Sequence, residues 1–331
     1  VQTEPIPSGF TRARKDPFDV LFANIKRWSH FQIVNLEGEQ DDEVILQADP
    51  YPFRWLCAVS LTDGRKLWEH NKYIGCKHNG FRAADIDEDG YDEVVGENMI
   101  DHDGNVVSEW EYRDYPGHLD SVFIRDVLPQ EPGLEWIVLE ESHRQDDRTA
   151  LLSQEKVHFY HSFGGFEPQN AALGDFEPER AGLEIWCRSR FNTNQIPWVL
   201  DARGNTISKY FLNDHKPDDW TEEGVEVIYS IDWTGKPPHL IAAKERHTDG
   251  DIAVIHPLTG NFLNVWNENA ARIYVVDVAG DYREEIVVLN SEKNQIRIYW
   301  NEDNNPHTRD KRYWSHNWYK RQKLNYNYYS P

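Results

Sequence analysis

The chain has 331 residues, with 57 Asp or Glu against 35 Lys or Arg, which gives a formal net charge of −22. This charge argues against nucleic acid and anionic membrane surfaces as partners, because both require a positively charged surface on the protein. No apolar run approaches the roughly 18 residues that a membrane-spanning helix needs. The length suits a large core, and because neither a linker nor a composition shift divides the chain, we expect one domain over residues 1–331.

From Phe31 onward, one pattern recurs six times: an apolar run, an acidic or polar turn and a second apolar run. The clearest copy is FRAADIDEDGYDEVVG, from Phe81 to Gly96. The other copies begin at Phe31, Ser121, Asn170, Glu226 and Arg272. Between the reference residues of the first and last turns, Asn35 and Asp277, five steps cover 242 residues. The resulting period of about 48 residues is that of a four-stranded propeller blade.

A second unit inside the period reads TDGRKLW, DHDGNVVSEW, DARGNTISKY and PLTGNFLNVW. In each copy a turn glycine precedes a strand-like run, and because glycine permits the positive φ of tight turns, each unit predicts a hairpin. The glycines are Gly64, Gly104, Gly204 and Gly260. Four short strands per repeat predict an all-β fold, a single β-propeller. We expect seven four-stranded blades, with the ring closed by the N- and C-terminal segments, and keep six or eight blades as alternatives.

The turn of the second repeat carries closely spaced carboxylates, with glycine at its sixth position. Such a cage of hard oxygen ligands suits Ca²⁺, but strands flank it and Gly96 stands at position 12, so it is not an EF-hand. We therefore predict a structural calcium site, with a solvated acidic turn as the alternative. Its ligands would be Asp85, Asp87, Asp89, the carbonyl of Tyr91, and Glu93. The other copies of the turn are degraded and carry no metal assignment.

In a propeller, the segments that enter each inner strand and the loops that leave the second strand lie on one face. Three entering segments carry a histidine, at His30, His78 and His118, and the leaving loops carry several Arg and Lys. The alternative is that these are ordinary solvated loops. The chain also has 13 Trp and 16 Tyr, whose flat apolar faces and polar tips suit sugar rings. A basic, histidine-rich funnel with aromatic residues favours an anionic sugar such as a uronate.

Elimination across C4–C5 of a uronate requires a cation to neutralise its carboxylate, a base for the C5 proton and an acid for the departing oxygen. Histidine suits the last two roles near neutral pH. The catalytic candidates are His78, His118, Tyr115 and Tyr160. The substrate-binding candidates are Tyr51, Asn79, His143, Arg144, Arg188, Arg190, Arg246 and His247. Alternatively, Glu141 with His118 and Asp120 could hold a catalytic metal.

Other catalytic motifs are weaker. The sequence contains no nucleophile elbow, P-loop, H-E-x-x-H or G-x-G-x-x-G motif. Asp and Glu are too abundant for counting to exclude a glycosidase pair. The three cysteines, Cys57, Cys76 and Cys187, cannot all pair, and a Cys57–Cys76 disulfide is a possibility that spacing cannot prove.

Two adjacent stretches resemble the propeller-type rhamnogalacturonan lyases: KHNGFRAADIDEDGYDEVVGENMIDHDGNVV and GHLDSVFIRDVLPQEPGLEWIVLEES. In that family an N-H-N segment precedes an acidic turn, an A-x-D-H-D-G hairpin, a G-H-G-D segment and P-G-L-E-V. His78 matches the first histidine, and His118 and Asp120 match the G-H-x-D pair. GDYREEIVV at Gly280 is similar to the G-D-W-R-E-E segment of the family, which carries over Arg283.

The chain departs from that family at several positions. Phe123 stands where the family has a second histidine, Glu140 replaces the histidine of an H-E-D segment, and the chain is much shorter. It is also similar to smaller propellers, namely ulvan lyases, rhamnose–glucuronate lyases, a rhamnosidase group and oligosaccharide dehydratases. The resemblance therefore implies a substrate class, sugars in which rhamnose is linked to a uronic acid. It implies this class more firmly than any one reaction.

We expect a secreted or periplasmic enzyme that acts on an anionic poly- or oligosaccharide of rhamnose and uronate by β-elimination at the uronate. The alternatives are an exo-acting dehydratase or rhamnosidase on the same glycan class, and a non-catalytic sugar-binding propeller. Calcium, in a structural role, is the expected cofactor, and neither nucleic acid nor a membrane is an expected partner.

Overall fold

The computed structural model describes residues 27–38, 42–49, 55–71, 73–76, 80–110, 118–141, 147–190, 194–247, 249–303 and 311–324. Of residues 27–29, 48, 49 and 118 it describes the backbone alone. Strands dominate these ranges, and the one α-helix within them, α1, spans Asn317–Leu324. No helix in the described ranges has the length and apolar character that crossing a membrane would require.

The strands of the described residues form five antiparallel sheets. The first sheet contains β1–β4, at Arg27–Val34, Glu43–Asp49, Trp55–Ser60 and Lys66–His70. The second contains β5–β8, at Arg82–Ala84, Glu93–Val95, Asn98–Ile100 and Val106–Glu109. The third contains β9–β12, at His118–Arg125, Glu135–Glu141, Arg148–Leu152 and Val157–Ser162. The fourth contains β13–β16, at Pro168–Gly174, Glu184–Ser189, Pro197–Leu200 and Thr206–Lys209. The fifth contains β17–β22, at Val225–Ile231, Leu240–Glu245, Gly250–Ile255, Phe262–Val276, Glu285–Asn290 and Gln295–Tyr299.

The predicted repeats are confirmed. Each apolar–turn–apolar unit is a pair of adjacent strands, from β1–β2 through β20–β21. We call the earlier members the first strands (β1, β5, β9, β13, β17 and the second half of β20) and their partners the second strands. The four predicted turn glycines have φ between 73° and 87°, and a Cβ on Gly104 would also lie 2.7 Å from Cγ of Trp68. Because β20 runs over 15 residues, pairing first with β19 and then with β21, it joins two repeats in one sheet.

Successive sheets pack face to face, with buried apolar side chains between them. One cluster joins Val34 and Ile45 of the first sheet to Val94 and Ile100 of the second. The second strands β6, β10 and β14 are buried at every position, because neighbours cover both of their faces. The first strands contact one another in chain order, from β1 to β5 and onward to β20. This arrangement around a central channel is that of a β-propeller, as predicted.

Helix α1 closes one end of the channel. Its side chains bond to backbone atoms near the ends of three first strands. These contacts join Gln322 to Ile124, Arg321 to Ile33, and Lys323 to Val275. The first strands therefore end on a common face, which we call the lower face and which carries the acidic turns and α1. The opposite, upper face carries the starts of the first strands and the ends of the second strands.

A glutamate near the start of the second strand stabilises the turn in five of the six repeats. In the second repeat, Oε2 of Glu93 accepts a hydrogen bond of 2.7 Å from the amide of Ile86. The equivalent residues are Glu43, Glu135, Glu184 and Glu285. These bonds satisfy turn amides that burial would otherwise leave without a partner. Many of the acidic residues that recur along the sequence therefore stabilise the fold.

Hydrogen bonds also join the turns of neighbouring repeats. At the sixth turn, α1 supplies the acceptor. The amide of Asp232 donates to Glu284 in the following repeat at 3.1 Å. For Asp277 the acceptor is instead the hydroxyl of Tyr319 in α1, at 2.9 Å. The described C-terminal residues thus form a helix rather than a strand of a further blade. Residues 1–26 lie outside the described ranges, so the closure of the ring and the count of seven blades stay predictions.

The three cysteines are buried, and no disulfide joins Cys57 to Cys76. The Cys57–Cys76 disulfide that the spacing left open is therefore not formed. Burial raises the pKa of the Cys57 and Cys187 thiols to about 12, so neither is a reactive thiolate near neutral pH.

Candidate functional site

Several predicted site residues lie outside the described part of the chain. They are His78, Asn79, Tyr51, Tyr115, His143 and Arg144. The backbone of His118 begins β9 and pairs with Glu141 at the end of β10, which places it on the upper face. The side chain of His118 is not described, so the catalytic roles of the two histidines stay predictions.

Tyr160 lies apart from the first strands. It belongs to β12, the outermost strand of the third sheet, with β11 and β10 between it and β9. The guanidinium carbon of Arg148 lies 3.8 Å from the centre of its ring, and Arg148 is also paired with the buried carboxylate of Glu140. These contacts give Tyr160 a packing role in the third sheet, and the structure does not bring it to the channel.

The predicted arginines of the upper face lie among carboxylates. Arg190 pairs with Glu141 at 3.1 Å and with Glu167 at 2.8 Å, and Arg246 donates to the backbone carbonyl of Arg190 at 2.8 Å. His247 lies 3.9 Å from Glu226. The face therefore alternates positive and negative groups instead of presenting arginines alone. Glu167 and Glu226 were not among the predicted site residues, although Glu167 immediately precedes β13 and Glu226 lies near the start of β17.

Two further cations of the upper face are buried in fixed contacts. Arg188 is 2% exposed and donates to Gln169 and to the carbonyl of Ser189. Nζ of Lys244 lies 2.9 Å from Oε1 of Glu226, with both side chains almost fully buried. Neither cation reaches solvent, so Arg190, whose side chain is 44% exposed, is the more accessible of the predicted arginines described.

Bulges interrupt five of the six first strands near their starts. The bulges of β9 and β13 are linked, because Oδ2 of Asp120 accepts hydrogen bonds from Oγ of Ser121 and from the amide of Asn170. Asn170 and Val227 have φ of 55° and 51°, and the latter value is strained for a β-branched residue. Bulges and strained residues of this kind are concentrated next to functional sites, where they re-aim side chains.

A cavity of about 110 Å³ lies in the channel, between the bulges and α1. It is lined by five of the first strands and by the helix. The polar and aromatic members of its wall are Arg82, Ser121, Phe123, Arg125, Asn170, Tyr229, Ser230, Tyr274, Trp318, Gln322 and Lys323. Sequence reasoning singled out only Phe123 from this wall, as the position where the related lyases have a second histidine.

The acidic turn of the second repeat brings its carboxylates together. One oxygen each of Asp85, Asp87 and Asp89 lie within 4.8 Å of one another, and Glu93, Asp101 and His102 form a second group of the same size. The amide of Tyr91 donates to Asp89, and its ring stacks on His102 at 4.3 Å.

The electrostatics of this turn suit a cation. Burial raises the pKa of Asp85 and Asp87, and it raises the pKa of Glu93 to about 9. Oδ1 of Asp85 and Oε1 of Glu93 are buried without a hydrogen-bond partner among the described residues. Carboxylate oxygens that converge and repel one another are the hard ligands that Ca²⁺ prefers. The three aspartates therefore fit a calcium ion, whereas the structure groups Glu93 with Asp101 and His102, two residues that were not predicted as ligands.

The family model for "Rhamnogalacturonan lyase family 11, C-terminal domain" matches residues 61–321. The chain belongs to this family. The predicted resemblance is thereby confirmed over β4 to β22 and most of α1. The matched range includes the cavity-lining strands, the bulges from β9 onward and the acidic turn of the second repeat.

Two curated relatives come from Bacillus subtilis strain 168. The rhamnogalacturonan exolyase YesX is 23% identical over 284 residues, which cover 80% of this chain and 44% of YesX. The rhamnogalacturonan endolyase YesW is 26% identical over 294 residues, which cover 81% of this chain and 42% of YesW. The chain thus spans less than half the length of these relatives.

The crystal structures of the same two lyases share the fold of this family 11 domain. The structure of exotype YesX has a TM-score of 0.62 at 18% identity and covers 83% of this chain and 47% of its own. The structure of YesW has a TM-score of 0.57 at 22% identity, over 83% and 46% of the two chains. At these identities the likeness concerns the fold alone.

Proposed function

We propose that this chain is a polysaccharide lyase domain that cleaves rhamnogalacturonan by β-elimination at its uronate. The observation that carries the proposal is the family match over residues 61–321, which spans five of the six first strands around the channel. Both curated relatives are named as rhamnogalacturonan lyases, one exo-acting and one endo-acting. Since such a polysaccharide lies outside the cell, the proposal includes a secreted or periplasmic location.

The reaction assigns two proton-transfer roles. A base removes the proton at C5, the electrons form the C4=C5 double bond, the C4–O4 bond breaks, and an acid returns a proton to O4. We keep His78 and His118 as the candidates. The described neighbours support this pair, because His78 precedes β5 by a few residues, His118 begins β9, and β5 and β9 are in contact.

The remaining groups of the upper face are candidates for binding the polysaccharide. Arg190 and His247 have side chains that are 44% and 32% exposed. An incoming carboxylate would compete with Glu141 and Glu167 for Arg190, so a uronate bound there would exchange one charged hydrogen bond for another.

We include a structural Ca²⁺ in the proposal. Asp85, Asp87, Asp89 and Glu93 would hold it, with the carbonyl of Tyr91 as a further ligand. When bound, the ion supplies charge neutralisation to the turn, which lies on the lower face, at the opposite end of the first strands from His118. This chain's own residues would carry every step of the elimination.

The test is the absorbance of the conjugated, unsaturated uronate when the folded chain is mixed with rhamnogalacturonan. With the wild type we expect the absorbance to rise with time. With the His78→Ala and His118→Ala variants we expect it to stay constant. Release of free rhamnose without an absorbance change would establish a rhamnosidase instead. Loss of absorbance from an unsaturated oligosaccharide would establish a dehydratase. Binding without turnover, unchanged in both histidine variants, would establish a sugar-binding propeller.

A further inference from the structure

A second concave site lies on the outside of the propeller, where the end of β22 meets β18 and the first half of β20. We call it the outer groove. Its volume is about 600 Å³, which lies within the range of about 300–1,000 Å³ that ligand sites have. Trp233, which follows the end of the first strand β17, also lines it, so the groove opens near the lower face. It is therefore a different site from the predicted catalytic one on the upper face.

Aromatic and aliphatic side chains form the inner surface of the outer groove. The ring centre of Trp266 lies 5.9 Å from that of Trp233 and 5.1 Å from that of Tyr299. Next to these rings, Trp300 is 57% exposed and Leu263 is 49% exposed. Large apolar side chains that stay exposed together in a concave surface indicate a place where a ligand covers them.

Hydrogen bonds hold the loop that follows β22 against the groove. Nδ2 of Asn301 donates to the carbonyl of Trp233 at 3.0 Å, and its Oδ1 accepts from the amide of Asp303 at 3.0 Å. Nη1 of Arg283 donates to the carbonyl of Asp303 at 2.9 Å, while its Nη2 pairs with Asp281 at 2.7 Å. The loop is therefore ordered before a ligand binds, which lowers the entropy that binding costs. Arg283, which the family resemblance carried over without a role, acts here as a positioning residue.

The rim of the outer groove is acidic. Among the described residues that line it, the charged side chains are the exposed Glu302 and Asp303, and no Lys, Arg or His accompanies them. Two carboxylates repel an anionic ligand such as a uronate. They accept hydrogen bonds from hydroxyl groups, and the amides of Asn264 and Asn301 add further donors and acceptors. The rim therefore suits an uncharged ligand that carries many hydroxyl groups.

We propose that the outer groove binds a neutral hexose unit of an oligosaccharide. The C–H face of the sugar would lie on the rings of Trp266 and Trp300, and its hydroxyls would donate to Glu302 and Asp303. A pyranose matches this arrangement, because it has an apolar face and a rim of hydroxyls. That this hexose belongs to the polysaccharide cleaved on the upper face rests on the proposed function. A second attachment point would then raise the effective concentration of substrate at the upper face.

The test is fluorine NMR of the full chain labelled with 5-fluorotryptophan, with the signal of Trp300 assigned from its absence in Trp300→Phe. The probes are a galactose tetrasaccharide and the corresponding galacturonate tetrasaccharide, which differ in charge at C6. We expect the neutral probe to shift the Trp300 signal saturably. The Kd of the acidic probe from the same signal should be at least 10-fold higher. Binding of either probe on the upper face does not enter this measurement, since Trp300 lies in the outer groove.

A charge reversal at the rim tests the selectivity. In Glu302→Lys a cation replaces one of the two carboxylates, so the galacturonate probe should shift the Trp300 signal with a several-fold lower Kd than in the wild type. Glu179→Lys is the matched control, because Glu179 is an exposed acid in the turn of the fourth repeat and its replacement changes the net charge equally. Both Kd values should be unchanged in this control.

Three results would overturn the proposal. The Trp300 signal would not move with the neutral probe, it would move with equal Kd for both probes, or it would move with tetralysine and with neither sugar, which would establish a groove for cations. The outcome is separable from that of the proposed function, because binding needs no turnover. A shift with the neutral probe in a chain that does not cleave rhamnogalacturonan would support the groove and refute the lyase, and cleavage without any shift would do the reverse.

Discussion

The two ends of the channel use charge in different ways. On the lower face the same contact recurs, since a glutamate accepts turn amides in five repeats, from Glu43 to Glu285. On the upper face each repeat contributes a different group, such as Asp120, Arg190 or Lys244. The repeated acids stabilise the turns, whereas the residues that differ between repeats lie on the face where β9 begins at His118. Under the proposed function, the lower face maintains the fold and the upper face would carry the chemistry.

Replacing His118 tests the chemistry that the proposed function assigns to the upper face. We expect His118→Ala to lower kcat/KM on rhamnogalacturonan by about 10²–10⁴-fold, the usual contribution of a general acid or base. The free energy of unfolding should change by less than about 0.5 kcal/mol, because His118 lies at the start of a strand on the upper face. His158→Ala, on the outer strand β12, is the matched control and should keep its activity. Equal losses in the two variants would remove His118 from the chemistry.

On the lower face we expect the opposite outcome, a loss of stability. Arg321 of α1 lies 2.6 Å from Asp92, with side chains 4% and 0% exposed. Arg321→Met leaves a buried carboxylate without its cation, which should cost about 3–5 kcal/mol in the free energy of unfolding. Arg65→Met breaks an exposed pair and should cost at most about 1 kcal/mol. Denaturant titration measures both, and a similar small loss in each would show that α1 does not hold the channel closed.

Calcium should stabilise the lower face. At a free calcium concentration of 100 times the dissociation constant, a single site contributes about 2.7 kcal/mol to the free energy of unfolding. We expect a chelator to lower the melting temperature of the wild type and to have no such effect on Asp87→Asn. Asp63→Asn, in the hairpin turn between β3 and β4, should respond to the chelator as the wild type does. A wild type that is insensitive to the chelator would leave the turn as a solvated acidic loop.

The smallest expected effect is a pH dependence of one repeated glutamate. Burial raises the pKa of Glu184 from 4.5 to about 7, so the folded state resists its ionisation. Stability from this group is complete below pH 4.5 and is lost as the pH rises to about 7. Glu184→Gln keeps an acceptor for the turn amides and removes the titration. The melting temperature of Glu184→Gln minus that of the wild type should therefore increase as the pH rises from 4.5 to about 7. Melting temperatures that change in parallel with pH would contradict the assignment.

Much of the fold could be predicted because it depends on local pattern. The apolar runs, the acidic turns and glycines such as Gly64 and Gly204 each act within a few residues, and all six repeats formed the predicted strand pairs. The acidic turn at Asp85 was recognisable for the same reason, since its ligands lie close together in the chain. The sequence left a Cys57–Cys76 disulfide open because spacing does not report whether two sulfur atoms meet, and the structure has both as free thiols.

The cavity could not be predicted because its residues meet only in three dimensions. Arg82, Tyr229 and Lys323 lie far apart in the chain and come from β5, β17 and α1. The pairing of Arg190 with Glu167 is likewise invisible to a reading that compares equivalent loops, since the two residues belong to different segments of one repeat.

The repeat, the strand pairs, the hairpin turns and the family resemblance could be inferred from residue order, because hydrophobic periodicity and turn chemistry act over short stretches of chain. Which charges are neutralised and which line a cavity depends on how the sheets and the helix pack. The sheets must close around an axis before Arg82, Tyr229 and Tyr274 line one cavity, and α1 must dock before the lower end of the channel is closed. Contacts of this kind depend on the distance through space, which the order of residues does not specify.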